Sequence, residues 1–190
     1  MGLGAANKLN DVLNGVLFYM KKLLVLDEKN YGEDLEEIRR TAVRGIIFRD
    51  SKLLMIESTD GELKFQAPGT ITVRLSGGGM EENEDDIETL IRETLEETGF
   101  AVVPETVMEF GEIEEKRLAL YENKIWHQIN RYYFCKAGEK QSECSYSENE
   151  KSHGFKPVWY TLDEAYRKNC ERAWNEREYH ALRLIKEYLK

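Results

Sequence analysis

A run of glycines followed by an acidic, amphipathic segment (residues 77–100, GGGMEENEDDIETLIRETLEETGF) constrains this chain more than any other part of its sequence. At about 100° per residue, a helix over residues 85–98 would gather its apolar side chains on one side. Asn83 is predicted to cap the first turn, and Gly99 stands where a left-handed residue ends a helix. The apolar side consists of Ile87, Leu90, Ile91, Thr94 and Leu95. This pattern predicts a surface helix that packs on a sheet.

The glutamates on the opposite side of this helix stand where they are expected to reduce its stability. Glu93, Glu96 and Glu97 crowd the last turn, where the helix dipole favours cations. Glu93 and Glu97 are also four residues apart, and such a like-charge pair is unfavourable by about 0.2–0.5 kcal/mol. Arg92 offsets part of this repulsion, because it is four residues from both Glu88 and Glu96. A divalent cation would offset more of it, although a solvated acidic face without a ligand stays open as the alternative.

Three glycines, Gly77, Gly78 and Gly79, precede the helix. Glycine lets the backbone approach a ligand closely, although most such triplets form ordinary turns. Together with the misplaced carboxylates, the glycines favour a binding site over a simple solvated face.

The spacing of these residues resembles the Nudix box, in which a glycine, five residues, a glutamate and seven residues precede Arg-Glu-apolar-any-Glu-Glu-any-Gly-apolar. Gly78 and Glu84 stand at the first two fixed positions, and Thr94 stands at an apolar position where its methyl group can pack. The other fixed positions are matched by Arg92, Glu93, Glu96, Glu97, Gly99 and Phe100. The box covers residues 78–100, and the resemblance extends more loosely over residues 40–190.

One departure from the family pattern lies just before the box. Family members often run from a strand through a proline directly into the glycines. Here the stretch 66–76 (QAPGTITVRLS) intervenes, and Ser76 takes the place of the proline. An inserted loop or short hairpin beside the site is one explanation, and it leaves the shape of the phosphate entrance open.

The remaining sequence predicts strands interleaved with two or three helices. Residues 41–48 and 52–56 are rich in β-branched and apolar residues and are joined by Arg49-Asp50-Ser51, which predicts a hairpin. Further strands are predicted at residues 70–75, 102–110, 116–121, 125–136 and 156–160, and a closing helix from about residue 175. This order indicates the α/β class, and the resemblance implies a Nudix-like α/β/α sandwich, a mixed sheet flanked by helices.

Length and charge limit the domain organisation and the partners. A chain of 190 residues suits one well-packed domain, and we predict a single Nudix hydrolase domain over residues 20–190. Residues 1–19 are interpreted as an N-terminal extension, upstream or non-native, because a new start is suggested at Met20. The net charge of −9 opposes binding to nucleic-acid polymers and anionic membranes. No run approaches the roughly 18 apolar residues of a transmembrane helix.

The cysteines argue against two kinds of structural site. Cys135, Cys144 and Cys170 form an odd set without CxxC spacing, which is atypical of a disulfide framework and of structural zinc. We interpret them as thiols of a reducing compartment and expect the protein to be cytoplasmic.

The resemblance implies metal-dependent hydrolysis of a phosphoanhydride bond in a nucleoside-diphosphate-linked small molecule, by attack of water at phosphorus. Mg²⁺ is the implied cofactor, with Mn²⁺ able to substitute. Glu93 and Glu97 are the first choice as metal ligands, and Glu96 is the third ligand or orients a water. Arg92 is expected to hold a glutamate in place rather than to contact substrate. The resemblance also implies that the protein can form a homodimer.

The general base is not determined by the sequence. A box glutamate can serve, with Glu93 as the first choice, but in parts of the family the base comes from a later loop. Glu148 and Glu150 are the candidates there, and solvated loop charges are the alternative for both. Gly78 and Gly79 are expected to bring backbone close to the metal and the phosphates.

Residues 125–136 offer two faces to a substrate. Trp126 and Tyr132 share one face with Gln128 and Asn130, which suits stacking and hydrogen bonding to a base or leaving group, although core packing is the simpler alternative. His127 and Arg131 lie on the other face and are candidates to meet phosphate, as is Arg44 in the first strand of the hairpin. Solvent-facing roles are equally open for these cations.

Two classes of function fit this pattern. One is a Nudix-type pyrophosphohydrolase, and the other is a catalytically quiet nucleotide-binding or regulatory module on the same fold. The complete glutamate set favours the enzyme. Nucleotide sugars, ADP-ribose, dinucleoside polyphosphates and damaged nucleoside triphosphates all remain open as substrates.

Overall fold

The computed structural model describes residues 20–59, 71–119, 122–170 and 176–190. The predicted extension over residues 1–19 and the first part of the 66–76 insertion lie outside these residues. Within them the chain forms strands β1 (Lys22–Asp27), β2 (Glu37–Arg49), β3 (Lys52–Thr59), β4 (Ile71–Leu75), β5 (Phe100–Leu118), β6 (Ile125–Lys140) and β7 (Lys156–Thr161). The helices are α1 (Asp86–Thr98), α2 (Glu148–Ser152), α3 (Leu162–Cys170) and α4 (Glu176–Tyr188).

The β2–β3 hairpin forms where the sequence predicts it. The strands pair antiparallel, with Arg49 opposite Lys52. The two loop residues, Asp50 and Ser51, both have positive φ angles, of 49° and 61°. This backbone matches the right-handed twist of the two strands, so that a two-residue connection is sufficient.

The sheet is mixed, and β2 is its central element. The strand order is β1-β5-β6-β2-β3-β4, and β7 pairs with β3. The β2–β6 and β1–β5 pairs are parallel, whereas the other pairs are antiparallel. The glycine segment continues along β2, because Val43 N donates to Gly78 O and Gly45 N donates to Ser76 O, each at 2.9 Å.

Successive strand residues enter two different cores, which makes the sheet the middle layer of a sandwich. Ile46, Leu53 and Tyr132 belong to the core formed with α3 and α4. Their chain neighbours Ile47, Leu54 and Tyr133 belong to the core formed with α1. Side chains alternate between the faces of a strand, so helices cover both faces. The predicted α/β/α sandwich is thereby confirmed.

Two elements differ from the sequence-based expectation. The two strands predicted at residues 102–110 and 116–121 are one long strand, β5, with register shifts between Val103 and Met108 and between Glu109 and Gly111. Pairing with β6 is regular from Gly111 to Leu118, so residues 111–115 between the two predicted strands belong to the same strand. Strand β1 was not predicted, because its partner β5 lies about ninety residues further along the chain.

Cys135 and Cys144 are free thiols. Cys135 is buried, and burial raises the pKa of its thiol to about 12. Cys144 is partly exposed. None of the helices in the described residues has the length and apolar character needed to cross a bilayer.

Candidate active site

Helix α1 is capped at both ends by its own sequence. The side chain of Asp85 accepts hydrogen bonds from the backbone N–H groups of Ile87 and Glu88, and the Glu88 carboxylate accepts from Asp85 N. This is a capping box, so Asp85 and not Asn83 is the N-cap. The prediction for Asn83 was wrong, and that residue has a positive φ of 71° in the preceding turn. Gly99 ends the helix at φ 74°, as predicted.

Arg92 connects three glutamates of the box to the glycine segment. Its guanidinium donates to both oxygens of Glu84, at 2.6 and 2.8 Å. It also donates to Glu93 at 2.9 Å, to Glu96 at 3.2 Å and to Gly79 O at 3.1 Å. The hydrogen bonds from Arg92 are the main reason why the pKa of Glu84 falls to about 2.

Glu93 is packed against the backbone of Gly78. A Cβ atom on Gly78 would lie 2.4 Å from the Glu93 carboxylate, so only glycine leaves room for this side chain. Burial raises the pKa of Glu93; the hydrogen bond from Arg92 opposes this shift and the charge of Glu97 adds to it. Glu93 therefore lies in a crowded, partly dehydrated position beside the glycines.

Glu97 is 4% exposed, and both of its carboxylate oxygens have partners. Arg74 Nη2 donates to Oε1 at 2.5 Å, and Gly77 N donates to Oε2 at 2.8 Å. Gly77 has φ 128°, and a Cβ atom there would lie 2.0 Å from Val43 O. Sequence reasoning missed Arg74, since it belongs to β4 and its spacing from the box carries no recognisable signal.

The carboxylates suit a divalent cation in type and placement. In the described part of the chain, no three Asp, Glu, His or Cys side chains are gathered closely enough to hold a metal. Arg92 donates to both Glu93 and Glu96, and Arg74 donates to Glu97. Mg²⁺, however, commonly needs only one or two carboxylates, with substrate phosphates and water completing its shell. Glu93 and Glu97 supply such a pair beside Glu96, whose side chain is 45% exposed, and Gly78 leaves room for the Glu93 carboxylate.

Trp126 and Arg44 lie on the face of β2 and β6 that points towards α4. The Trp126 ring lies between the guanidiniums of Arg40 and Arg117, each 5.8 Å from its centroid. Arg40 also lies against Gly79, where a Cβ atom would be 2.4 Å from Nη2. Arg44 is buried and donates to Gly77 O. Both predicted residues are thus connected to the glycine segment.

A row of buried polar side chains continues from Trp126 towards α4. The amide of Gln128 donates to Asn130 at 2.7 Å, and the amide of Asn130 donates to Glu115 at 2.8 Å. Arg177 completes the row by donating to Glu115 at 3.0 Å. Tyr132 is fully buried in the core, so packing accounts for its place on this face.

His127 and Arg131 lie on the opposite face and are paired with carboxylates. His127 lies between Glu37 and Glu114, at 2.7 and 2.8 Å. Arg131 binds Asp86 in the first turn of α1, at 2.8 Å. A rise of about 1.5 Å per residue places Asp86 about 16 Å from Glu97 along the helix axis. The structure therefore does not bring Arg131 together with the glutamate cluster.

The segment that carries Glu148 and Glu150 reaches the C-terminal end of α1. Ser145 N donates to Glu96 O at 2.7 Å, and Tyr146 OH donates to Glu97 O at 2.6 Å. The two carboxylates themselves have other partners. Glu150 forms a capping box at the start of α2, and Glu148, 92% exposed, pairs with Lys151.

Comparison with known proteins agrees with this architecture. The sequence model of the NUDIX domain family matches residues 38–182. A NUDIX hydrolase from Nitrosomonas europaea is 17% identical, with 80% of this chain and 88% of that chain covered and a TM-score of 0.57. An ADP compounds hydrolase is 18% identical, with 79% and 72% covered and a TM-score of 0.56. At these identities the two structures show the fold alone. No curated protein matches the chain in sequence.

The family match extends over more than half of the chain and includes the capped helix, its glutamates and the glycine segment. The chain therefore belongs to the Nudix family, as a Nudix pyrophosphohydrolase.

Proposed function

We propose that this protein hydrolyses a phosphoanhydride bond in a nucleoside-diphosphate-linked small molecule and depends on Mg²⁺ or Mn²⁺. The observation that carries the proposal is the placement of Glu93 and Glu97 on one side of α1, against the backbone of Gly77 and Gly78. Two carboxylates in this position repel each other and an anionic substrate, so they need a cation to act on phosphate.

Glu93 and Glu97 would hold the metal ion, and Glu96 would be a third ligand or orient a water. Glu96 suits this role because its side chain is 45% exposed and its contact with Arg92, at 3.2 Å, is longer than the 2.9 Å contact of Glu93. A divalent ion bound here would neutralise phosphate oxygens and lower the pKa of bound water. Arg92 keeps the glutamates in place through its contacts to Glu84 and Glu93.

Glu93 is the proposed general base. Its carboxylate lies against the backbone of Gly78 beside the proposed metal position, where it would accept a proton from a metal-bound water. Glu148 and Glu150 are the second candidates, because their segment contacts the end of α1. The involvement of Glu150 in a helix cap favours Glu93 over it.

The substrate is proposed to lie along the face that carries Trp126. The exposed end of this face offers an aromatic ring and the Arg40 guanidinium, which extends to Gly79. Phosphates passing Arg40 and Gly79 would reach the glutamates of α1, while a base or leaving group would meet Trp126. Arg44, under the glycine segment, would stabilise that segment more than it would contact substrate. His127 and Arg131 are weaker candidates for phosphate contacts, since carboxylates already pair with both.

Turnover of a substrate panel would test the proposal. Nucleotide sugars, ADP-ribose, dinucleoside polyphosphates and nucleoside triphosphates are incubated with Mg²⁺ or Mn²⁺, and nucleotide products are quantified by chromatography. We expect hydrolysis of at least one class, its loss in EDTA and its return with added metal. Undiminished turnover without metal would contradict the mechanism.

Calorimetry with the same panel would measure binding of nucleotide and metal separately from product formation. Loss of hydrolysis in Glu93→Gln, with binding of Mn²⁺ still measurable, would assign turnover to this site.

We propose one domain over residues 20–190, a cytoplasmic location, the capacity to form a homodimer, and neither nucleic-acid polymer nor membrane as a partner. The net charge of −9 supports the last point, because it repels polyanions and anionic surfaces.

A further inference from the structure

We infer that Arg74 is a positioning residue for Glu97 and that Phe155 in turn holds Arg74 in place. The inference rests on the proposed function, because it concerns how one of its metal ligands is oriented. Arg74 belongs to β4 and lies outside the glycine-to-glutamate spacing of the box.

Arg74, Gly77 and Glu97 form a closed set of hydrogen bonds. Arg74 donates to Glu97 Oε1 at 2.5 Å and to Gly77 O at 3.1 Å, and Gly77 N donates to Glu97 Oε2 at 2.8 Å. Each carboxylate oxygen is thus bound once. Because an ionised carboxylate can accept about four hydrogen bonds, both oxygens keep a lone pair for a cation. The set therefore fixes the orientation of Glu97 without using up its capacity as a ligand.

Arg74 is itself held by an aromatic side chain from a distant segment. Its guanidinium lies over the ring of Phe155, 4.9 Å from the centroid, within the range of a cation–π contact. Phe155 contacts the ring of Tyr146 edge-on at 6.1 Å. Tyr146 donates through its hydroxyl to the backbone carbonyl of Glu97 at 2.6 Å. Residues 146–155 thus reach Glu97 twice, at its backbone and, through Arg74, at its side chain.

Hydrogen bonds that orient Glu97 are expected to increase its affinity for a metal ion. Ligating carboxylates are commonly oriented by hydrogen-bonding partners, and loss of such a partner typically costs about 10–100-fold in metal affinity or activity. A guanidinium provides a fixed fork, which a lysine ammonium does not reproduce. Arg74 uses this fork to bind Glu97 and Gly77 O at the same time.

The test measures binding of Mn²⁺ alone by calorimetry, with kcat and KM on a panel substrate as a second readout. Arg74→Gln is expected to weaken Mn²⁺ binding by about 10–100-fold and to lower kcat more than it raises KM. Arg74→Lys should restore part of the affinity, because it keeps the charge and loses the fork. Unchanged or tighter Mn²⁺ binding in Arg74→Gln would overturn the inference, since Arg74 would then merely compete with the metal.

Arg49→Gln is the matched control. Arg49 also stacks on aromatic rings, those of Phe100 and Trp159, and donates to backbone carbonyls, but it has no contact with the glutamates. The Arg49→Gln substitution should lower the melting temperature and leave the Mn²⁺ affinity within about twofold of the wild-type value. An equal loss of affinity in Arg49→Gln and Arg74→Gln would contradict a specific role for Arg74.

Phe155→Leu keeps the test decisive if Arg74→Gln does not fold. It removes the ring beneath the guanidinium and leaves the Arg74–Glu97 pair, so we expect a several-fold loss of Mn²⁺ affinity in a folded protein. Wild-type affinity in Phe155→Leu would refute the role of Phe155. A wild-type protein that neither binds Mn²⁺ nor hydrolyses any panel substrate would refute the proposed function itself, whereas an active wild type with an unaffected Arg74→Gln refutes this inference alone.

Discussion

At the scale of single residues, Glu97 shows how a distant partner changes the expected effect of a substitution. Spacing along α1 alone predicts that removing one of the crowded carboxylates leaves the metal-free protein equally stable or slightly more stable. In the structure, Glu97 is buried and pairs with Arg74. Loss of this charge leaves Arg74 without its carboxylate, so the expected sign is reversed.

Glu97→Gln and Glu93→Gln should therefore differ in their effect on stability. Without metal, Glu97→Gln should lower the free energy of unfolding by about 1–3 kcal/mol, because it weakens a hydrogen-bonded, largely buried ion pair. Glu93→Gln should leave it unchanged or raise it, because burial raises the pKa of Glu93 and thus penalises its charged form. Urea unfolding at neutral pH with EDTA measures both.

The control for this pair is Glu88→Gln. Glu88 accepts the N-cap N–H of Asp85, and glutamine can accept the same bond, so its stability and turnover should change little. Equal destabilisation by Glu93→Gln and Glu97→Gln would show that the Arg74 contact contributes nothing specific.

Gly78→Ala tests the close approach between the glycine segment and Glu93. The added Cβ would overlap the carboxylate, which must then move by about 1 Å or more, and a displacement of this size can cost about 100-fold in rate. Gly138→Ala is the control, since its Cβ would meet neighbouring atoms only at 3.8 and 4.0 Å. Steady-state kinetics of both variants on a panel substrate measure this effect. Equal rates in the two variants would contradict the importance of the close approach between Gly78 and Glu93.

At the scale of elements, helix α1 is fixed to the glycine segment by Arg92. The hydrogen bonds from Arg92 to Glu84 and to Gly79 O join the helix to the segment that precedes it. The sequence places these residues on the helix and in the preceding turn, but it does not show that Arg92 binds Glu84 through both oxygens. This contact links the conformation of the turn to the ionisation of Glu84.

The Arg92–Glu84 contact predicts a loss of stability in acid. The pKa of Glu84 is about 2 in the folded protein, below its ordinary value of 4.5. Because its pKa is lowered on folding, the ionised Glu84 carboxylate stabilises the folded protein fully above pH 4.5. This stabilisation is lost as the pH falls from 4.5 towards 2. Glu84→Gln should make the melting temperature less dependent on pH in this window. An unchanged pH dependence of melting in the variant would show that Glu84 does not contribute to it.

At the scale of the whole molecule, the two cores are joined through β2, whose residues face α1 on one side and α3 and α4 on the other. Met20, the first described residue, packs partly buried against the core on the α1 side. The start of the domain at Met20 stays a prediction, and the packing of Met20 against this core is the observation that supports including Met20 in the domain.

A chain that starts at Met20 should consequently fold and act like the full-length protein. We expect the melting temperature to agree within about 2 °C and kcat to be unchanged, since the described strands and helices supply residues to both cores. Thermal unfolding of the two chains measures this. A decrease of several degrees would mean that the extension packs on the domain through Leu9, Leu13 and Val16, which stand at helical spacing in the sequence.

The sequence by itself determined the features that depend on neighbours a few residues apart. These include helix α1, its glycine end and the β2–β3 hairpin, because caps, turns and periodic apolar faces are local properties. The spacing of the box placed Glu93, Glu96 and Glu97 on one helix for the same reason.

Only the tertiary structure decided how those residues are held. Arg74 lies 23 residues from Glu97 in the chain and Tyr146 lies 49 residues from it, so no local pattern indicates either contact. Pairing of β1 with β5, and of His127 and Arg131 with carboxylates, depends likewise on which strands and helices meet. The physical reason is that the charge on a side chain follows from its type, whereas its partner follows from how the sheet brings distant segments together.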